Sequence, residues 1–306
     1  MRAIKKIITV VLSCNMMFFL YPAAGKDFDK SDVESSVIRF AIPQDRLFIR
    51  TKKDAAAVGY VFLGIFGAIL GRAGQKDWVR LNDEVIDKYY DGVPDVDFKN
   101  IMTAKLTKHL KEAQWVNPIS FELLGFEPSN KQKRRIFDVV SASHYFLIGA
   151  SYYLSPDART FVVEIGMAVS ERRAKIDTPG YVYPRVQMRE YFYVSDKLPR
   201  VHRIGLQPLE RAEKYVKIWL QNNGELFHRE LEAGIDTAVE LFVKDLANTY
   251  TRKDVQRAPI VGRVLTVCSR SMHRLLEKEE NRIIVVKNNR KAFASISTVD
   301  DEKKCK

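Results

Sequence analysis

The sequence is short of the side chains that most readily declare a chemistry. Its 306 residues hold three cysteines, Cys14, Cys268 and Cys305, too few for a disulfide framework, and no Cys-x-x-Cys is present. The five histidines, His109, His144, His202, His228 and His273, lie far apart, and none has a second ligand at metal-site spacing. HExxH, GxSxG, SxxK and phosphate-loop patterns are all missing. Among the carboxylates only Glu164 and the pair Asp83-Glu84 suggest acid–base work, and an ordinary strand or helix face accounts for both. A lone histidine among aromatics, such as His144 before Tyr145-Phe146, reads as a packed or hydrogen-bonded residue before it reads as a base. These absences argue against an enzyme and call for no cofactor and no metal.

Acidic residues are also in deficit, 38 against 50 Lys and Arg, for a formal charge of +12. Three of the positive charges, Arg2, Lys5 and Lys6, stand ahead of the first apolar run. The excess favours anionic partners such as phospholipid head groups. The tightest cluster is Lys131, Lys133, Arg134 and Arg135, a candidate anion contact that also reads as a solvated face. Elsewhere basic and acidic residues interleave, and the export signal described next argues against nucleic acid.

Two long uncharged stretches lie within the first quarter of the chain. Residues 7–25 follow Arg2, Lys5 and Lys6 and end in Ala23-Ala24-Gly25 before Lys26-Asp27, the layout of a secretory signal. Val11-Leu12-Ser13-Cys14 offers a second reading, lipidation of Cys14, although Leu12 is bulky for that signal; an uncleaved anchor is a third. Export would permit a disulfide between Cys268 and Cys305, or a free thiol at Cys305. The second stretch, 55–71, is too short for the roughly 20 residues of a bilayer span. Its Gly64, Gly67, Ala68 and Gly71 recur at three- and four-residue spacing and make a smooth stripe on a helix, like a glycine zipper. Glycine costs about 1 kcal/mol against alanine in a helix, so the stripe calls for close approach of a second helix, in a membrane, in a self-associated form, or in the core.

The remaining periodicities predict an α+β fold, an antiparallel meander packed by amphipathic helices, with a small C-terminal β module. Residues 26–54 read as short strands or an extended arm, 55–74 as the glycine-rich helix, 75–251 as the body, 252–299 as the β module and 300–306 as a charged tail. Helices are expected over 78–90 and 95–113, the second with Phe98, Ile101, Met102, Leu106 and Leu110 at helical spacing. A short extended stretch follows at 119–124. Strands are expected over 144–154, 159–170 and 183–194, the first two joined by Ser155-Pro156-Asp157-Ala158. Helix resumes at Leu206, is interrupted by Asn222-Asn223-Gly224, and continues over 225–247. Strands follow at 263–268, 282–287 and 291–297.

Gly64, Gly67 and Gly71, the turn Leu154-Ser155-Pro156-Asp157, and Trp219, Asn222 and Gly224 together resemble an uncharacterised family of bacterial exported envelope proteins and lipoproteins with a glycine-zipper-like apolar helix. The likeness spans roughly residues 55–250 and rests on structural motifs. It implies an envelope location, periplasmic and membrane-associated, and brings no catalytic residues. A looser likeness in architecture is to the α/β domains of outer-membrane assembly lipoproteins. The functional expectation is a non-enzymatic scaffold or assembly component that associates with membrane or with itself and holds an unidentified protein partner. The alternatives are a module binding polyanions or anionic lipid, and a hydrolase whose site is assembled from distant residues.

Overall fold

The computed structural model describes residues 30–42, 47–49, 85–90, 93–124, 142–155, 157–171, 174–175, 178–182, 185–200, 208–262, 273–279, 281–287 and 292–297. The signal, the 55–71 segment, the strand expected at 263–268 and the turn at 288–290 lie outside them.

Aromatic and β-branched runs form the centre of a nine-stranded mixed sheet. Its strands are β1 (Ser36–Ala41), β2 (Pro118–Leu124), β3 (His144–Leu154), β4 (Phe161–Glu171), β7 (Arg185–Val194), β8 (Ile260–Gly262), β9 (His273–Lys278), β10 (Arg282–Lys287) and β11 (Ala292–Ser297), while β5 (Ala174–Lys175) and β6 (Thr178–Val182) form a separate two-stranded ribbon. The order is β2-β1-β3-β4-β7-β11-β10-β9-β8. The expected meander is β3-β4-β7, antiparallel throughout. Parallel pairs flank it, β1 between β2 and β3 on one side and β11 against β7 on the other. The stretch anticipated as strands or an arm thus supplies an interior strand, every residue of which is buried. The C-terminal strands extend the same sheet through β11, and their hairpin β10-β11 is antiparallel.

Among the described residues three helices accompany the sheet, α1 (Phe98–Glu112), α2 (Pro208–Leu246) and α3 (Arg252–Arg257), and residues 85–90 are also helical. The Asp97 carboxylate caps α1 by accepting from the Asn100 N–H. Phe98, Met102, Leu106 and Leu110 of α1 are buried, but Ile101, expected in the same stripe, is 37% exposed. Each four-residue step advances the buried arc by about 40°, and Ile101 falls on the other side of Phe98 from that advance.

Helix α2 breaks where three poor helix formers fall in succession. Gln221 leaves the helix at ψ 160°, and Asn222, Asn223 and Gly224 take φ of 55°, 56° and 73°. Glycine is required at the last, because a Cβ on Gly224 would lie 2.8 Å from Val93 Cγ1. The second arm then runs over β4, β7 and β11, burying Phe227, Leu231, Ile235, Ala238, Val239, Phe242 and Leu246. Gly234 brings its backbone onto the sheet, since a Cβ there would meet Val163 Cγ2 at 2.4 Å and Tyr193 Cδ1 at 2.9 Å.

Along β4, Phe161, Val163, Ile165, Met167 and Val169 alternate with Glu164, Gly166 and Ala168, a pattern suited to burying one face. Phe161, Val163, Ile165, Met167 and Val169 do join the main core under α1 and α2. The other face is buried too. Val162 packs with Tyr153, Phe192, Val194, Val285 and Ile296, and Ala168 packs with Tyr145 and Leu147.

Candidate functional site

The residues singled out as contact sites, Gly64, Gly67, Ala68 and Gly71, the basic cluster Lys131, Lys133, Arg134 and Arg135, and Cys14, all lie outside the described residues, as do Cys268, Cys305, His202 and Asp83-Glu84. The candidate functional groups of the body therefore have to be found from geometry. Four polar clusters and one apolar edge stand out.

The first cluster is at the start of β3. Ser143 Oγ donates to the Ser35 carbonyl at 2.8 Å and accepts from the Ser35 N–H at 3.1 Å, while Ser35 Oγ accepts from the Ser143 N–H. Ser143 Oγ also lies 2.9 Å from His144 Nδ1. The donor and acceptor of this contact follow the tautomer of the ring. The contact is a clasp fastening β3 to the entry of β1. His144 is buried, and burial holds its pKa below the ordinary 6.5 against the opposing fields of Glu171, Asp32 and Glu34.

The second cluster ties the C-terminus of α2 to the sheet. Buried Asp245 accepts from Tyr191 Oη at 2.7 Å, with Arg189 Nε at 3.8 Å. The last carbonyls of the helix receive the Trp115 indole N–H, 3.1 Å from the Leu246 oxygen, and the Lys30 ammonium, which also lies 4.7 Å above the Trp115 ring. A cation among these carbonyls opposes the negative end of the helix dipole.

The third and fourth clusters stand along the same interface. Tyr193 donates to Glu230 at 2.6 Å, and the Arg282 guanidinium lies 4.3 Å over the Tyr193 ring while bonding Ser295 and the Val194 carbonyl. Burial and then the Glu230 contact push the Tyr193 hydroxyl well above its usual pKa. Beyond it, Glu277 of β9 accepts from Tyr250 at 2.7 Å and from Lys244 at 3.0 Å, and Lys244 also pairs with Glu240. Burial works to lower the Lys244 ammonium, but Glu240 and Glu277 outweigh it and hold its pKa above the usual value. Glu164, the remaining carboxylate of interest, is buried in mid-sheet and accepts from Tyr153 Oη at 3.1 Å. His109 pairs with Glu112, and His228 contacts the Pro94 carbonyl.

Each of these clusters fastens one element to another. Among the described residues no group of three or more His, Cys, Asp and Glu is gathered as metal ligands, and no helix is long and apolar enough to cross a membrane.

The apolar edge is β2. Its Phe121 stacks on Phe40 at 6.3 Å, and the Lys111 ammonium lies 5.6 Å over the same ring. Ile119 and Leu123 on either side are 54% and 37% exposed. Glu122 pairs with Arg39 at 2.6 Å, and Arg39 also bonds Ser120 at 3.3 Å. The short extended stretch expected at 119–124 is this strand, and the alternation of Ile119, Phe121 and Leu123 with Ser120 and Glu122 is the local signal for its apolar face.

Compared with known proteins, the chain matches no family model and no curated protein.

Proposed function

We propose that this chain is a non-enzymatic cell-envelope protein, a scaffold or assembly component exported to the periplasm and held to membrane or to itself through the 55–71 segment. The observation that carries the reading is the pairing of two uncharged runs in the first quarter of the chain, one ending Ala23-Ala24-Gly25 and one striped by Gly64, Gly67, Ala68 and Gly71. The polar clusters of the body tie strands and helices to one another, which suits a rigid platform for a protein partner. Anionic lipid is the second reading, favoured by the +12 charge and the Lys131 to Arg135 cluster.

Fractionation of cells expressing the full chain tests the proposal. Membrane pellets washed with carbonate should retain the wild type and release a variant lacking residues 55–71, and Gly67→Leu with Gly71→Leu should release it too while the body stays folded. Wild-type protein freed by carbonate and already soluble would sink the reading. Release by high salt alone would point instead to head-group electrostatics.

A further inference from the structure

We propose that β2 is a self-pairing edge, through which two copies of this chain join their sheets antiparallel about Phe121. This goes beyond the envelope reading, because it adds a contact made by the body itself, separate from any made by the glycine-rich segment. Among the described residues no strand flanks the outer side of β2. Natural edges of this length are commonly blunted by lysine, proline or an inward charge. Pro118 stands only at the first position of β2, and the strand has no lysine. Its one charge, Glu122, is paired with Arg39 of the neighbouring strand.

The sequence of the strand is complementary to itself. A two-fold axis at Phe121 sets Ile119 opposite Leu123 of the second copy, Ser120 opposite Glu122, and Phe121 opposite Phe121. The two exposed aliphatic side chains of each copy therefore meet one another, twice, in directly opposed positions where Cβ atoms come within about 5 Å. The serine hydroxyl meets a carboxylate it can donate to, and no charge faces a like charge. A contact of this kind is isologous and closes at two copies, so it yields a dimer with one continuous sheet. An arbitrary partner strand would have no reason to satisfy the same three pairings.

Full-length protein carrying Gly67→Leu and Gly71→Leu, so that the 55–71 contact is removed, should have twice the protomer mass when purified and assayed by light scattering across 1–100 µM, and the variants below are made in the same background. Leu123→Lys and Ile119→Lys should each give a monomer with unchanged far-UV circular dichroism. The register is tested in a Cys14→Ser, Cys268→Ser, Cys305→Ser background, with copper–phenanthroline as oxidant. Ile119→Cys with Leu123→Cys in one chain should cross-link into a covalent dimer. Either substitution alone should not, since identical positions lie four residues apart across the axis, about 13 Å, beyond the roughly 7 Å that a disulfide spans. A protein monomeric at 100 µM, a dimer that survives Leu123→Lys, or single cysteines that cross-link as well as the double variant would each overturn the proposal. Should a lysine variant misfold, the cross-linking series decides alone. Gly67→Leu and Gly71→Leu should leave the cross-link intact, so failure of this pairing and failure of the envelope reading appear in separate experiments.

Discussion

The centre of the sheet and its β2 flank are made of similar residue types, yet they are held in different ways. At the centre, β3, β4 and residues 190–194 of β7 are buried, and α2 lies so close that Gly234 leaves no room for a methyl group. At the flank, β2 is half-covered on one face, joins the sheet through a parallel pair, and leaves Ile119 and Leu123 in solvent. The opposite flank shows a third treatment: β8 has only three residues, and β9 beside it carries Arg274, Glu277 and Lys278. Short or charged edges resist pairing, whereas β2 is longer and apolar. The comparison teaches that apolar character alone does not mark core; what matters is whether another element reaches it.

The largest effect should come from breaking the centre. Trp219 is about 1% exposed, packs 5.9 Å from the Phe161 ring, and donates its indole N–H to the Ala158 carbonyl at 2.9 Å. That carbonyl belongs to a residue at φ 54°, so the bond also fixes the turn between β3 and β4. Trp219→Ala should cost about 3–5 kcal/mol, the range for emptying a large aromatic site, measured by urea unfolding. Trp219→Phe should recover most of the packing but leave the carbonyl without its donor, and should fall between the two. Equal stability of Trp219→Ala and wild type would mean that the centre is no better packed than the flank.

The centre was also the most legible part in sequence. Strand β3 begins and ends where its aromatic run does, and Asn222-Asn223-Gly224 announced the break in α2 because each residue tolerates positive φ. What stayed hidden was set by distant contacts. Nothing near Ser36–Ala41 reveals that it lies between β2 and β3, since parallel partners come from residues about 80 and 110 positions away. Strand β9 escaped notice because its charged residues sit at a half-buried flank, where alternation is weak. Helix α3 is only six residues long, yet Thr251 and Asp254 form a capping box, a local signal that could have found it. The extended stretch expected at 119–124 is strand β2; its place at the end of the sheet, like the interior place of β1, is set by the assembled sheet.

A smaller effect should appear at the joint between the two regions, where Ser143 and His144 fasten β3 to the entry of β1. The folded protein resists protonating buried His144, so its pKa lies below the unfolded value. Both states are neutral there at high pH. As pH falls through about 6.5 the unfolded chain gains a proton that the folded chain refuses, and stability declines until the folded pKa is reached. Melting temperatures between pH 7.5 and 5.5 should therefore drop for wild type and drop less for His144→Gln. Identical pH slopes would show that the joint does not feel this titration and would remove the distinction between it and the solvated flank.

The smallest effect belongs to the flank itself, and its smallness is the informative result. Leu123→Ser removes an exposed aliphatic side chain from β2, and Ile260→Ser does the same at the other end of the sheet, where Ile260 is 50% exposed. In a dilute monomer both should change stability by no more than about 0.5 kcal/mol, as surface substitutions do. The two should diverge as protein concentration rises. Only an edge that pairs gains stability from a second copy by mass action, so wild type and Ile260→Ser should melt higher at 100 µM than at 1 µM, while Leu123→Ser should melt at the same temperature at both. A concentration dependence that Leu123→Ser keeps and Ile260→Ser loses would move the pairing edge to β8 and reverse the assignment of the two flanks.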